Sequence, residues 1–359
     1  MCVSSRSHGW LFRQSGRAYR GSLGERRLSP RITVLMPVYN AAAYVTEAAR
    51  SILSGSFRDL ELLAINDGST DDSEARLRSI HDPRMRIVNN PANMGLVKTL
   101  NRGLDMADSE FVARMDADDI SMPERLARQL AFMAANPQVG VCGTWVTTFG
   151  SGQKRTLFAP LTPAEIHARL FSANPISHPT VMLRRLFFVR HSLRFAAEAL
   201  HAEDLDLWMR ASECFPLANI PVVGLRYRMH ANQIANRYAD EEQQTVDRLR
   251  TRQLLLLLPG ATDAEIALHL TIFGVEKQLT HSELVAAGRW LARLEDANER
   301  SRRYELTAFR TLLAERWLNA AHRCVPSTVQ VWHTWRRSPL ATVGIAARLR
   351  LLGKTALRR

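Results

Sequence analysis

"ITVLMPVYNAAAYVTEAARSIL" occupies residues 32–53. It opens as an apolar run, passes through the polar link "PVYN", and continues as "AAYVTEAARSIL", whose apolar residues recur at helical spacing. The same alternation follows twice more and ends on a further apolar run. The apolar runs "LELLAI", "MRIVN" and "FVARM" are separated by the helical patterns "DDSEARLRSI" and "GLVKTLNRGLDMA". Strand and helix in alternation imply βαβ units, hence a doubly wound, mostly parallel α/β sheet flanked by helices. Ligands of such sheets bind beyond the carboxyl ends of the strands. The polar stretches "PVYN", "NDGSTDDS", "NNPANMG" and "DADD" all fall there, so they are expected to face one crevice.

Further along the pattern is less regular. After "VGVCGTWVTTF" the sequence predicts a short helix over 162–171, a strand at "TVML", a helix over 204–212 and a strand at "VVGLRYRMH". From about Asp240 the chain reads as helical. The expected organisation is a disordered basic leader (1–29), an α/β domain (30–239) and a helical C-terminal region with a basic tail (240–359). Beyond Glu315 the chain has no acidic residue, whereas the tail carries Arg336, Arg337, Arg348, Arg350, Lys354, Arg358 and Arg359.

With 46% hydrophobic and 23% charged residues, the chain has the composition of a soluble globular protein, and 359 residues leave room for more than one domain. The net charge of +13 favours anionic partners or simply gives a basic surface. Cys2, Cys142, Cys214 and Cys324 form no CxxC pair, which argues against a zinc site or a disulfide framework and fits a reducing compartment. The apolar run "LLLLL" is stopped by Pro259-Gly260, far short of a bilayer span, and the N-terminus has no continuous apolar segment of a signal peptide. A cytoplasmic location is the expectation.

The densest chemistry lies in "RMDADDISMPERL", residues 114–126, where Asp116, Asp118 and Asp119 fall within four positions. Such crowding is costly unless something positive sits among the carboxylates. An EF-hand loop counted from Asp116 would need Gly at Ser121 and Glu at Ala127, so it fails. An aspartyl-phosphate phosphatase would want Thr or Val at Ile120. A divalent cation bridging to a substrate diphosphate suits a strand-end DxD. The plainer reading is that Asp119 or Ser121 caps a helix starting near Met122-Pro123, but that leaves Asp116 and Asp118 unexplained. The first βα turn has no GxGxxG and no glycine-rich phosphate loop, which weighs against a dinucleotide site. In "NDGSTDDS", Gly68 permits the turn and Ser69 with Asp72 resembles a capping box, which leaves Asp67 free to bond a base or ribose.

Taken together, "VLMPVYNAAAYVTEAARSILSGS", "LELLAINDGSTDDS", "NMGLVKTLNRGL" and "FVARMDADDISMPERL" resemble the nucleotide-sugar-binding half of family 2 glycosyltransferases with the GT-A fold. The resemblance continues through "SHPTVMLRR", "HAEDLDLWMRAS" and "YRMHANQIA", spanning roughly residues 32–235. It implies that Pro37, Val38 and Tyr39 line the nucleoside pocket, that Asp67 recognises the base and that Asp116 approaches the ribose. Asp118 would hold Mg²⁺ or Mn²⁺, His230 would be a further ligand of metal or diphosphate, and Lys98 would assist unless it is merely a solvated helix residue. Asp204 would be the general base that deprotonates an acceptor hydroxyl as it attacks in line with the departing diphosphate, so that the anomeric configuration inverts. Glu203 would orient or bind the acceptor, although the pair also suits a helix N-terminus. His178 would line the acceptor site or satisfy a turn before Pro179. Ala235 stands where the family often has Ser.

The implied function is an inverting transferase that moves a sugar from a nucleotide-diphosphate sugar, UDP-linked by expectation, to a glycan or lipid-linked acceptor in cell-surface polysaccharide synthesis. A catalytically inactive nucleotide-sugar-binding protein of the same fold is the alternative, and the intact Asp116, Asp118, Asp204 and His230 weigh against it. Nucleic acid is a poor fit, because Trp332 and Trp335 beside Arg336-Arg337 are the only aromatic–basic combination suited to it. The basic tail points instead to peripheral contact with an anionic membrane surface.

Overall fold

The computed structural model describes residues 29–230, 238–274, 278–325 and 329–341. Most of the expected leader, Ala235 and the tail beyond Ala341 lie outside the described residues. A nine-stranded sheet organises the first two thirds of the chain. Its parallel half is built from β1 (Ile32–Val38), β2 (Leu60–Asn66), β3 (Met85–Asn89) and β4 (Phe111–Arg114), in the spatial order β3-β2-β1-β4. The order continues through β8 (Met182–Arg184), β6 (Val141–Gly150), β9 (Leu217–Met229) and the short β5 (Ile120–Ser121), while β7 (Thr156–Leu157) pairs with β6. β8 runs antiparallel to both β4 and β6, so the second half of the sheet is mixed.

The local causes are visible in the pattern of burial. Six of the seven residues of β1 are buried, as expected of a central strand covered on both faces. Helix α1 (Val45–Leu53) buries Val45, Ala48, Ala49, Ile52 and Leu53, the i, i+3, i+4, i+7, i+8 stripe of a helix lying on a sheet. Helices α2 (Ser73–Arg78), α3 (Leu96–Met106), α4 (Arg125–Ala135), α5 (Pro163–Leu170), α6 (Arg185–Arg190) and α7 (Glu203–Ser212) follow. Two hydrophobic clusters cover the faces of the sheet, one centred on Val34, Met36, Ala48 and Leu62, the other on Leu35, Leu63, Leu100 and Trp208.

Beyond the sheet come α8 (Ala239–Leu257), α9 (Asp263–Phe273), α10 (His281–Ser301), α11 (Leu306–His322) and α12 (Val329–Arg336). They share a third cluster that includes Leu254, Phe273, Leu291 and Trp317, and it reaches Phe171 beside α5. Capping boxes at Thr162, Thr262 and Thr280 start α5, α9 and α10, each worth about 1 kcal/mol. The helical region is thus anchored to the sheet domain through α5 and through Leu249 of α8.

Three local expectations need correction. "TVML" begins as a 3₁₀ turn (His178–Thr180), because Thr180 N–H and hydroxyl both bond back to the Ser177 carbonyl. The helix after the aspartates starts at Arg125, preceded by the unforeseen strand β5, and its N-cap Glu124 makes no side-chain cap bond. Neither Asp119 nor Ser121 caps it. The capping box at Ser69 does not form either, since the Ser69 hydroxyl accepts from Asn40 N–H at 3.0 Å while the N-cap Asp72 makes no cap bond.

Candidate active site

The four strand-end loops do converge, on an open cleft of ≈ 2940 Å³. At the β1–β2 end, Pro37, Val38 and half-exposed Tyr39 line it together with Asp67. Gly68 has φ +70°, and a Cβ there would lie 2.5 Å from the Asn93 nitrogen, so the β2 and β3 loops touch backbone to backbone. Buried Asp67 fixes that junction. One of its oxygens accepts from Asn90 Nδ2 at 2.6 Å and Met94 N–H at 2.8 Å, and the other accepts from Gly95 N–H at 3.0 Å. The second oxygen, with one donor, keeps capacity for another hydrogen bond.

At the end of β4 the three aspartates form a cluster whose ligand oxygens lie within 4.8 Å of one another. The positive charge among them comes first from the protein. Arg114, buried at the end of β4, is ion-paired with Asp116. Arg125 is buried beneath, its guanidinium bonded to the Arg114 carbonyl at 2.6 Å and to Gln129 at 3.2 Å; burial pushes it down to about 10, so it stays charged at neutral pH. From β9, Arg228 donates its backbone N–H to Asp119 at 2.8 Å and its Nε to the Asp118 carbonyl at 2.6 Å. His230 Nε2 lies 2.9 Å from Asp118 Oδ2.

The arginines do not fully neutralise the cluster. Burial, opposed by Arg114 and reinforced by Asp118, raises the Asp116 carboxyl, and burial with its two acidic neighbours pushes Asp119 up to about 8. The second Asp119 oxygen is buried without a partner. Carboxylate oxygens in excess, one of them orphaned, with an imidazole alongside, are a donor set that fits a hard divalent cation such as Mg²⁺ or Mn²⁺.

At the N-terminus of α7, Glu203 and Asp204 line the same cleft. Asp204 Oδ2 accepts from Asn174 Nδ2 at 2.7 Å, and its Oδ1 accepts from Leu205 N–H at 2.7 Å. Burial raises its carboxyl, with these hydrogen bonds opposing. Glu203 is more enclosed and is pushed up to about 7, by burial first and then by Asp204. His178 also lines the cleft, buried and kept neutral by burial and by Arg114. Asp206 is held elsewhere, by Arg210 and Arg252 at 2.7 and 2.9 Å, which removes it as a substitute base.

Of the residues singled out from sequence, the cleft gathers Pro37, Val38, Tyr39, Asp67, Asp116, Asp118, Glu203, Asp204 and His230. Lys98 is the exception. It stands exposed on α3, where Val97, Thr99 and Leu100 take the inward positions, and it does not line the cleft. Arg114, Asn174 and the structural part played by Arg228 were missed. Arg114 was legible in principle: in an extended strand, residues i and i+2 share a face, which sets it against Asp116.

Similarity to known proteins identifies the family and the fold. Residues 33–191 match the model of the family described as glycosyl transferase family 2. An uncharacterized glycosyltransferase of Haemophilus influenzae is 30% identical over 241 residues, 64% of this chain and 75% of its own. A UDP-Gal:alpha-D-GlcNAc-diphosphoundecaprenol beta-1,3-galactosyltransferase of Escherichia coli is 29% identical over 192 residues, 51% of this chain and 68% of its own. Among solved structures, S. aureus TarS residues 1–349 in complex with UDP-GlcNAc superposes with a TM-score of 0.54 at 19% identity, covering 89% of this chain and 92% of that one. The fold is the GT-A fold of glycosyltransferases. The chain belongs to glycosyltransferase family 2.

Proposed function

We propose that the protein transfers a sugar, with inversion, from a UDP-linked donor to a hydroxyl of a lipid-linked glycan intermediate in cell-surface polysaccharide synthesis. The observation that carries this reading is one cleft with the Asp116–Asp118–Asp119 cluster in it and the Glu203–Asp204 pair facing the same space. The E. coli relative named above, with its UDP-sugar donor and lipid-diphosphate acceptor, supports the choice of both substrates.

In this reading Pro37, Val38 and Tyr39 hold the nucleoside and Asp67 offers its less occupied oxygen to the base. Asp116 meets the ribose, and Asp118, His230 and Asp119 would hold a divalent cation. When bound, that ion neutralises charge on the diphosphate leaving group. Asp204 takes the proton from the acceptor hydroxyl as it attacks the anomeric carbon, oriented for this by Asn174. Glu203, carrying a proton over part of the neutral range, can donate a hydrogen bond to an acceptor oxygen. Work on a lipid-linked acceptor places the protein at the inner face of the membrane, held by its basic tail; no helix among the described residues is long and apolar enough to cross a bilayer.

The test is a screen of purified protein against nucleotide sugars, reading thermal shift and donor hydrolysis with and without Mn²⁺. A UDP-sugar is expected to stabilise the protein only with the cation present. Asp118→Ala is expected to abolish that dependence. Equal affinity for UDP in excess chelator would sink the metal assignment.

A further inference from the structure

The cleft runs across several strands of the sheet, whose order is β3-β2-β1-β4-β8-β6-β9-β5. Tyr39 and Asp67 line it beside β1 and β2, Arg114 and Asp116 at β4, and Trp145 on β6, two strands beyond β4. The cleft measures ≈ 2940 Å³. A pocket for one small ligand is roughly 300–1,000 Å³, so a nucleotide sugar leaves most of it unfilled.

The unfilled end has a definite chemistry. Trp145 and Phe158 meet edge to face, with ring centroids 4.9 Å apart and planes at 84°. The indole is fixed by its Nε1 donating to the Ala159 carbonyl at 3.0 Å. Phe158 nevertheless keeps 51% of its surface exposed, and neighbouring Leu157 keeps 50%. The C-terminal region supplies another wall: Thr307, Ala308, Thr311 and Leu312 of α11 line the same cleft. The helix is clamped to α5 by the Arg169–Glu315 ion pair at 2.5 Å.

The charges at this end are already spoken for. Glu305 accepts from the N–H groups of Thr307 and Ala308, and Glu165 from those of Leu161 and Thr162. Arg169, the one cation lining this end among the described residues, is the partner of Glu315. A phosphate or a uronic acid would find no uncompensated cation here. Pyranose rings, by contrast, present a C–H face that packs on an aromatic edge or plane and hydroxyls that suit threonines.

Resting on the transferase reading, we propose that this end is a subsite for a neutral saccharide unit of the acceptor. Its ring lies on Phe158, Trp145 backs that platform, and α11 closes the other side. The helical C-terminal region is then part of the substrate-binding surface, and the acceptor carries at least one uncharged sugar beyond the unit that reacts.

Saturation-transfer NMR tests this with neutral disaccharides (chitobiose, lactose, cellobiose and maltose) as probes and UDP with Mn²⁺ present in excess. At least one is expected to show transfer to its C–H protons that persists with the nucleotide bound. Phe158→Ala, a half-exposed side chain whose loss should leave the fold intact, is expected to weaken that binding about fivefold, and Thr311→Arg to abolish it. UDP affinity, measured by calorimetry, should stay unchanged in both variants. No transfer from any of the four, equal transfer in Phe158→Ala, displacement by UDP alone, or stronger binding of a sulfated heparin disaccharide would each overturn the subsite. UDP binding by the unaltered protein reports separately on the transferase reading, so the two can fail independently.

Discussion

Arg114 closes strand β4 with its guanidinium paired to the carboxylate of Asp116, two residues on and just beyond the sheet. The pair joins the last structural residue of the strand to the first carboxylate of the cleft. It also explains how three aspartates survive in four positions before any ligand arrives. Arg114, Arg125, the Arg228 backbone and His230 approach the cluster from β4, α4 and the end of β9. A bound cation would complete a set of charges that the fold has already partly balanced.

Removing Arg114 should therefore be far worse than removing a surface arginine. Arg114→Met leaves the partly buried Asp116 without its ion-pair partner, a change that costs up to about 3–5 kcal/mol. Urea unfolding should show the full loss at pH 8 and less at pH 5, where Asp116, already raised by its surroundings, takes up a proton more readily. Adding Asp116→Asn should recover much of the stability while leaving nucleotide binding impaired. A single variant as stable as the parent at pH 8 would rule out the pair's structural role.

The Asn174–Asp204 contact makes a prediction about catalysis. Asp204→Asn should lower turnover by a factor on the order of a hundred or more with donor binding nearly unchanged. Asn174→Ala is subtler. Its amide lowers the Asp204 carboxyl, so its loss should raise it. A general base works only above its own pKa, and the acidic limb of the kcat/KM profile should move to higher pH. An unmoved limb with reduced turnover would leave Asn174 a packing role only.

These contacts also show where sequence was sufficient. Each strand-end loop was legible because an apolar run, a polar link and a helical pattern recur in order, and local spacing decides all three. The positions of Asp67, Asp116 and Asp118 follow from that, whereas Asp204, at the N-terminus of α7, is marked only by the resemblance. What spacing does not contain is which distant side chain meets them. Arg228 lies 109 residues from Asp119, and Asn174 lies 30 from Asp204, so the pairings depend on how β9 and the loop after α5 dock. For Lys98 the structure favours the solvated helix position, because the α3 stripe of Val97 and Leu100 turns the lysine outward. The expected caps at Ser69 and Asp119 failed because tertiary donors, the N–H groups of Asn40 and Arg228, claimed those side chains first.

Glu203 should make stability depend on pH. Its folded-state pKa is raised to about 7 from 4.5, chiefly by burial. The protonated form is thus favoured on folding: its contribution is complete below pH 4.5 and is lost as pH rises through about 7. With roughly 1.4 kcal/mol per unit, the native state should lose about 3 kcal/mol from this group by pH 9. Glu203→Gln, neutral and nearly isosteric, should match the parent near pH 4.5 and exceed it at pH 9. Parallel unfolding curves for the two proteins across that range would show that the carboxyl titrates normally.

The basic tail makes a prediction about place, and the structure changes how it must be tested. A truncation at Val331 would be misleading. Val331, Trp335, Leu340 and Ala341 are buried in the C-terminal cluster, and Trp317 Nε1 donates to the Trp335 carbonyl at 3.1 Å, so cutting there removes core. Trp332 likewise packs edge-on against Trp335, at 5.9 Å, rather than offering a free platform for a base. The informative cut falls after Ala341. It removes Arg348, Arg350, Lys354, Arg358 and Arg359 and leaves Arg336 and Arg337 exposed on the folded region. Each basic residue near an anionic leaflet contributes about 1 kcal/mol, screened within a Debye length. Full-length protein should therefore co-sediment with vesicles containing anionic lipid at low salt and be released as salt is raised. The truncated chain should stay in the supernatant while keeping its thermal stability and its affinity for UDP. Full-length protein left wholly in the supernatant at low salt would mean that the acceptor is reached without help from the tail.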